Sequence, residues 1–210
     1  HERLSRSVFL PIIPLDHAQL PNLKNVDEDY LKLSFDPQMH HSVPYAFSIT
    51  GIAYLKSKVP DFKPSWIMFD RSDLKGRMTM LNDMRETIGA ALKLDGKSLN
   101  TIDEQELATA RDKVIRWKKN LAKFENEQYK VGLASGEFTL VQGYSGDILQ
   151  IQEENHDVAF AIPAEGASIC FDDMVIPKAG QQVELAHKYI NFMHDPDVAA
   201  QNTEFTKYLC

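Results

Sequence analysis

Residues 77–94 read RMTMLNDMRETIGAALKL and contain a strand, a polar turn and a helix in succession. Met78 and Met80 alternate with polar neighbours, as the two faces of a short strand require. Asn82-Asp83 follows, and apolar residues at helical spacing come directly after it, which predicts a helix that begins at this polar pair. A short strand that runs through a polar loop into a helix is typical of α/β proteins.

The same alternation of short strands and helices continues along the chain, which predicts an α/β fold with a largely parallel sheet. We expect strands at 45–55, 77–81, 138–142, 158–162 and 169–176. We expect helices or helical turns at 65–70, 82–94, 101 to about 121, 130–135, 147–153, 181–194 and from 195 onward. Residues 1–44 contain five prolines, and we expect them to be extended and packed against another part of the protein.

The composition excludes several classes of protein. The chain has 43% apolar and 25% charged residues, which are ordinary globular values and argue against disorder, collagen and coiled coil. A net charge of −7 argues against nucleic acid and anionic membrane surfaces as partners. No apolar run approaches the roughly 18 residues of a membrane-spanning helix. The pattern of a signal peptide is not recognised either, so we expect a mature, trimmed or fragmentary chain.

No motif for catalysis or for a cofactor is complete. Gly143-Tyr144-Ser145-Gly146 only approximates a nucleophile elbow, because Asp147 stands where that motif requires glycine. The seven histidines form no metal-binding spacing, and no phosphate-binding glycine loop is present, so we expect no metal and no cofactor. Cys170 and Cys210 allow at most one disulfide, and their pairing stays open.

The carboxylates of Asp83 and Glu86 allow two interpretations. They can form a capping box, in which each side chain binds backbone N–H groups at the start of the helix. They can also face a ligand, because ligands of α/β sheets bind where strands end and helices begin. Asp172-Asp173 is equally ambiguous, since strand alternation lets at most one of the two serve a site.

These residues belong to an ordered set of short stretches that resembles the periplasmic spermidine/putrescine-binding proteins of bacterial ABC importers. The resemblance extends from about Leu15 to Cys210. The stretches are Val43-Pro44-Tyr45, Ser65-Trp66, Lys75-Gly76, Asp83-Met84-Arg85-Glu86, Ala134-Ser135-Gly136-Glu137, Tyr144-Ser145-Gly146-Asp147, Pro163-Ala164-Glu165-Gly166, Asp172-Asp173-Met174-Val175-Ile176-Pro177, Tyr189-Ile190-Asn191-Phe192-Met193, Asp197-Val198-Ala199 and Tyr208.

The resemblance implies a periplasmic-binding-protein-like clamshell (type II) of two α/β lobes. Residues 1–49 would form part of lobe 1, 50–170 a complete lobe 2, and 171–210 a return segment to lobe 1. Members of the family have further residues at both ends, so we expect a chain that lacks the N-terminal part of lobe 1 and the C-terminal end.

The resemblance also implies a site for a polyamine in an interlobe cleft. Asp83, Glu86 and Asp172 match carboxylates that hold ligand ammonium groups, and Tyr208 matches a cleft tyrosine. Tyr144 and Cys170 stand where the family often has tryptophan, which leaves the choice between putrescine and spermidine open.

The function implied is that of a substrate-binding component of an ABC importer, not an enzyme. Its partners would be a polyamine and the transporter permease, and we expect a monomer in the periplasm or anchored by lipid outside the cytoplasm. Two alternatives remain: a protein of the same fold for another small solute, and a hydrolase that uses Asp83 and Glu86 as an acid–base pair.

Overall fold

The structure is a computed structural model that describes residues 11–31 and 36–210. These residues form two compact units, which are described separately. The first unit comprises the described residues up to Phe47, together with Phe171–Phe205 and Leu209–Cys210. The second unit comprises Ser48–Cys170 and Thr206–Tyr208. How these residues are divided between the lobes of a clamshell stays a prediction.

Strands and helices alternate along the described residues, so the predicted α/β class is confirmed. The strands are β1 (Ser42–Leu55), β2 (Met78–Met80), β3 (Leu121–Phe124), β4 (Leu140–Tyr144), β5 (Val158–Ala161) and β6 (Ile169–Val175). The α-helices are α1 (Glu28–Leu31), α2 (Met84–Leu94), α3 (Glu104–Lys118), α4 (Gln128–Ser135), α5 (Ser145–Glu154), α6 (Val183–Met193) and α7 (Pro196–Thr206). Short 3₁₀ helices form at His17–Gln19, Pro21–Asn25 and Trp66–Asp70.

The sheet is mixed, so the prediction of a largely parallel sheet is wrong. Its strands lie in the order β3-β2-β4-β1-β5, and β6 also pairs with β1. β2 is parallel to β3 and β4, whereas β1 is antiparallel to β4 and β5. The sequence pattern gives the period of each strand, but the direction of pairing depends on which strands become neighbours.

Both faces of this sheet are covered in the second unit. Met78 and Met80 of β2 point to one face and pack with Trp117 of α3, which is fully buried. Val141 of β4 points to the other face and packs with Tyr129 of α4. Because the side chains of a strand alternate, β4 contributes to both apolar layers, through Leu140 on the first face and Val141 on the second.

Helix α3 begins and ends differently from the prediction. Its N-cap is Asp103, whose carboxylate accepts hydrogen bonds from the backbone N–H groups of Gln105 and Glu106, so the helix begins at Glu104 and not at residue 101. The helix ends at Lys118, and Leu121 begins β3 instead of forming the last turn of the predicted helix. The strand was not predicted because the apolar residues at its two ends, Leu121 and Phe124, also fit the helical period.

The first unit has an apolar core of its own, which includes Leu20, Val43, Ile176 and Ile190. The buried imidazole of His187 has a hydrogen-bond partner at each ring nitrogen: the backbone N of Asp16 and the backbone O of Val183, both at 2.9 Å. This histidine is therefore a packed structural residue. Among the described residues, no helix has both the length and the apolar character that a bilayer crossing requires.

Candidate ligand-binding site

Asp83 occupies the turn between β2 and α2 and acts as the N-cap of that helix. Its Oδ1 atom accepts the backbone N–H groups of Arg85 at 2.8 Å and Glu86 at 3.0 Å. The sequence-based capping interpretation is thus correct for Asp83. Only Oδ2 is left for a ligand, and the positive N-terminal end of the helix opposes the approach of a cation there.

Glu86 does not complete the capping box. Its side chain is buried, with 6% of the residue exposed, and turns away from the helix start. Its Oε2 atom accepts hydrogen bonds from the hydroxyls of Thr50, at 2.7 Å, and Ser168, and its Oε1 atom lies 3.2 Å from the thiol sulfur of Cys170. The carboxylate therefore has three neutral donors and is held away from the backbone groups that a capping box would use.

Tyr144 lies at the junction of β4 and α5, and it pairs in register with Thr50 of β1. Its ring is half-buried. Burial raises the pKa of the Tyr144 phenol to about 12, and the negative charges of Glu86 and Asp83 act in the same direction. The phenol is therefore neutral at any physiological pH and offers an aromatic ring beside two carboxylates.

Cys170 is also half-buried and belongs to the second unit. Burial raises the pKa of the Cys170 thiol to about 12, and the neighbouring Glu86 carboxylate raises it further in the same sense. The group is thus a neutral S–H donor and not a reactive thiolate. Cys170 and Cys210 are both free cysteines, so no disulfide joins them.

Tyr208 is brought to the second unit by the short segment Thr206–Tyr208. Its ring packs so closely on Gly146 of α5 that a Cβ atom there would lie 2.6 Å from three ring carbons. Burial raises the pKa of the Tyr208 phenol, and the carboxylate of Asp147 contributes to the same shift. The Oδ2 atom of Asp147 accepts a hydrogen bond from the Tyr129 hydroxyl at 2.5 Å.

Asp172 lies in the first unit, on β6, and is exposed, as is its neighbour Asp173. Asp173 accepts a hydrogen bond from the Ser42 hydroxyl at 2.8 Å. The structure thus brings Asp83, Glu86, Tyr144, Cys170 and Tyr208 into one unit, and the role of Asp172 stays a prediction.

The arrangement does not favour hydrolysis. The Ser145 hydroxyl oxygen accepts a hydrogen bond from the backbone N–H of Ile49 at 3.1 Å, which fixes it as a structural group. Within residues 11–31 and 36–210, no group of three or more His, Cys, Asp and Glu side chains could hold a metal ion. What the site offers is negative charge, neutral hydrogen-bond donors and aromatic rings, which together suit a cationic organic molecule.

Three residues of this site were not identified as functional candidates from the sequence: Thr50, Ser168 and Gly146. Thr50 and Ser168 are far from Glu86 in sequence and meet it only because β1 and the segment before β6 pass the start of α2. Gly146 lies in the quoted stretch Tyr144-Ser145-Gly146-Asp147, but its contact with Tyr208 involves a residue 62 positions away (208 − 146).

Comparison with known proteins gives the family. The profile of the bacterial extracellular solute-binding proteins matches residues 10–210. The chain belongs to this family. The chain is similar to a putrescine/cadaverine-binding protein of Pseudomonas aeruginosa, with 34% identity over 205 residues. That match covers 91% of this chain and 58% of the relative.

Two further solute-binding proteins agree with this assignment. The spermidine/putrescine-binding periplasmic protein of Escherichia coli is 30% identical over 195 residues, covering 92% of this chain and 56% of the relative. A solved structure of a spermidine/putrescine ABC transporter substrate-binding protein from Streptococcus pneumoniae matches with a TM-score of 0.82 and 29% identity, covering 93% of this chain and 61% of that one. The chain spans less than three fifths of the length of the two curated relatives.

Proposed function

We propose that the protein is the substrate-binding component of a bacterial ABC importer and that it binds a polyamine, putrescine or spermidine. It would act as a monomer outside the cytoplasm, deliver its ligand to a transporter permease, and make or break no covalent bond. The names of the similar proteins support this proposal, because they describe polyamine-binding, periplasmic and ABC-transporter proteins.

One observation in this chain carries the proposal: the buried carboxylate of Glu86 has no cationic partner. Among residues 11–31 and 36–210, no Lys, Arg or His nitrogen forms a salt bridge with Glu86, and its hydrogen-bond donors are all uncharged. Buried charges in proteins are normally paired, since an isolated charge is costly to remove from water. A ligand ammonium group would supply the missing charge.

The equivalent residue of the next helix makes the contrast clear. Glu106 also occupies the third helical position after a capping aspartate, but its carboxylate pairs with the Lys97 ammonium at 2.9 Å and with the Thr101 hydroxyl. Glu106 therefore has a cation from the chain itself. Among the described residues, Glu86 has no such cation in the same local context, which favours a role in binding over a role in helix stability.

The ring of Tyr144 suits the rest of such a ligand. A cation over an aromatic face gains about 0.5–2 kcal/mol, and each methylene removed from water gains about 0.8 kcal/mol. A diamine presents ammonium groups separated by methylenes, so it can use a carboxylate and a ring together. The interlobe cleft, and the contributions of Asp83, Asp172, Tyr208 and Cys170 to it, stay part of the proposal.

Calorimetric titration of the full-length protein with putrescine, cadaverine and spermidine tests the proposal. We expect Glu86→Gln to weaken binding by about 10-fold to 100-fold, because an ammonium–carboxylate hydrogen bond contributes roughly 1.5–3 kcal/mol. Asp172→Ala should weaken binding at least about tenfold on the same basis. Glu106→Gln is the matched control and should leave the affinity unchanged. The proposal is wrong if no polyamine binds, or if the Glu86 and Glu106 variants behave alike.

A further inference from the structure

The two oxygens of the Glu86 carboxylate have different partners. Oε2 accepts hydrogen bonds from two hydroxyls, those of Thr50 at 2.7 Å and Ser168. Within residues 11–31 and 36–210, Oε1 has a single partner, the thiol of Cys170, at a sulfur–oxygen distance of 3.2 Å. The carboxylate is therefore held firmly through one oxygen and loosely through the other.

The hydroxyl side of this arrangement is rigid. Thr50 lies within the antiparallel pairing of β1 with β4, and only 1% of it is exposed. Its backbone N–H donates to the Ser168 carbonyl oxygen at 3.2 Å, and the two hydroxyl oxygens are also 3.2 Å apart. Because the two backbones are hydrogen-bonded to each other and both hydroxyl protons are donated to Oε2, the rotamer of Glu86 is fixed without any ligand. Fixing it beforehand removes an ordering cost from the binding step.

The thiol side is easily exchanged. A thiol is a weak hydrogen-bond donor, and burial together with the Glu86 charge keeps Cys170 protonated, with its pKa raised to about 12. A charged ammonium donor forms a much stronger bond to a carboxylate than a neutral thiol does. An incoming cation can thus replace the thiol on Oε1 at little cost. The hydroxyls on Oε2 are held in place by the pairing of Thr50 in β1 and by the backbone hydrogen bond between Thr50 and Ser168.

We propose that Thr50 and Ser168 are positioning residues for Glu86, and that Cys170 is the displaceable donor on Oε1, the oxygen that receives the ligand ammonium group. This inference rests on the proposed function. It assigns the two oxygens separate roles and makes Cys170 a determinant of affinity that acts by hydrogen-bond competition, not by packing against the ligand.

The position of Thr79 provides a matched control for the hydroxyl side. Thr79 is buried in β2 of the same sheet, and its hydroxyl has no hydrogen-bond partner within the described part of the chain. Thr50→Val and Thr79→Val are therefore the same chemical change, made at a bonded and at an unbonded buried hydroxyl. We expect Thr50→Val to raise the Kd for putrescine about tenfold. Thr50→Ser keeps a hydroxyl, so its Kd should stay within about threefold of that of the unaltered protein. Thr79→Val should leave the Kd unchanged.

A double-mutant cycle separates positioning from damage to the fold. If Thr50 acts through Glu86, Thr50→Val should change the Kd less than about twofold once Glu86→Gln has removed the charge. An equally large effect in both backgrounds would overturn the positioning role. Ser168→Ala, whose side chain is only half-buried, repeats the test at the second hydroxyl if Thr50→Val lowers the melting temperature strongly.

For the thiol side, we predict that two substitutions of Cys170 change the affinity for putrescine in opposite directions. Cys170→Ser places a stronger donor on Oε1 and should weaken putrescine binding about fivefold, whereas Cys170→Ala removes the competitor and should tighten it about threefold. Changes of the same sign in both variants would overturn the exchange on Oε1. If the unaltered full-length protein binds no polyamine, the proposed function and this inference both fail. If it binds but Thr50→Val and Ser168→Ala have no effect, only the inference fails.

Discussion

Replacing Gly146 by alanine sets two effects of opposite sign against each other. Gly146 is the second residue of α5, and in a helix alanine is more favourable than glycine by roughly 0.5–1 kcal/mol. The ring of Tyr208 opposes the change, because the new Cβ atom would lie 2.6 Å from the Cγ, Cδ2 and Cε2 atoms of that ring. Carbon atoms in contact prefer separations of about 3.5–4.0 Å, so the ring must retreat by about 1 Å.

The segment that carries Tyr208 cannot retreat freely. The Gln150 side chain donates to the Thr206 carbonyl oxygen at 2.6 Å, and the Lys207 ammonium lies 2.5 Å from the Glu153 carboxylate. Overpacking of this kind costs about 1–3 kcal/mol, which exceeds the gain in helix propensity. We expect Gly146→Ala to lower the free energy of unfolding by about 0.5–2 kcal/mol and to weaken putrescine binding.

Denaturant unfolding of four proteins checks this: the unaltered protein, Gly146→Ala, Tyr208→Ala and the double variant. Once the ring is gone, the same alanine should stabilise the protein by about 0.5–1 kcal/mol, because only helix propensity remains. A reversal of sign between the two backgrounds is thus the expected signature. If Gly146→Ala stabilises the protein while Tyr208 is present, the close contact between ring and helix does not exist and the reasoning is refuted.

Two further predictions concern the charged groups of the second unit. Asp83→Ala should lower the free energy of unfolding, measured by thermal unfolding, by about 0.5–2 kcal/mol through loss of the helix cap. Asp83→Ser should keep the cap and weaken only diamine binding, measured by calorimetry. The Arg116 guanidinium lowers the pKa of the Asp70 carboxyl, so this pair stabilises the fold above about pH 4, and the contribution is lost as the pH falls through that lowered pKa. Arg116→Gln should therefore lower the free energy of unfolding, measured with urea, by up to about 1 kcal/mol at pH 7 and by almost nothing near pH 2. Arg111→Gln, which alters the exposed pair with Asp112, should give no pH-dependent difference.

Local patterns in the sequence were sufficient for most helices and strands. The strand and helix around Asp83 follow from alternation, a capping residue and a 3.6-residue period, all of which act over a few residues. The same local patterns did not predict the end of α3 at Lys118 or the strand that begins at Leu121, because an apolar residue at 121 fits the helical period and the strand period equally well. The mixed direction of the sheet was also missed, since pairing joins strands that are far apart in the chain.

The candidate site divides in the same way. The sequence by itself placed Asp83 and Glu86 where a strand runs into a helix, and Asp172 in the last strand. Cys170 and Tyr208 became candidates only through the resemblance to a polyamine-binding family. Only the tertiary structure decided that Asp83 caps its helix while Glu86 turns to Thr50, Ser168 and Cys170. A cap depends on backbone groups two or three residues away, which the sequence shows. The partners of a buried carboxylate depend on which distant segments the sheet brings together, and this is fixed only when the chain has folded.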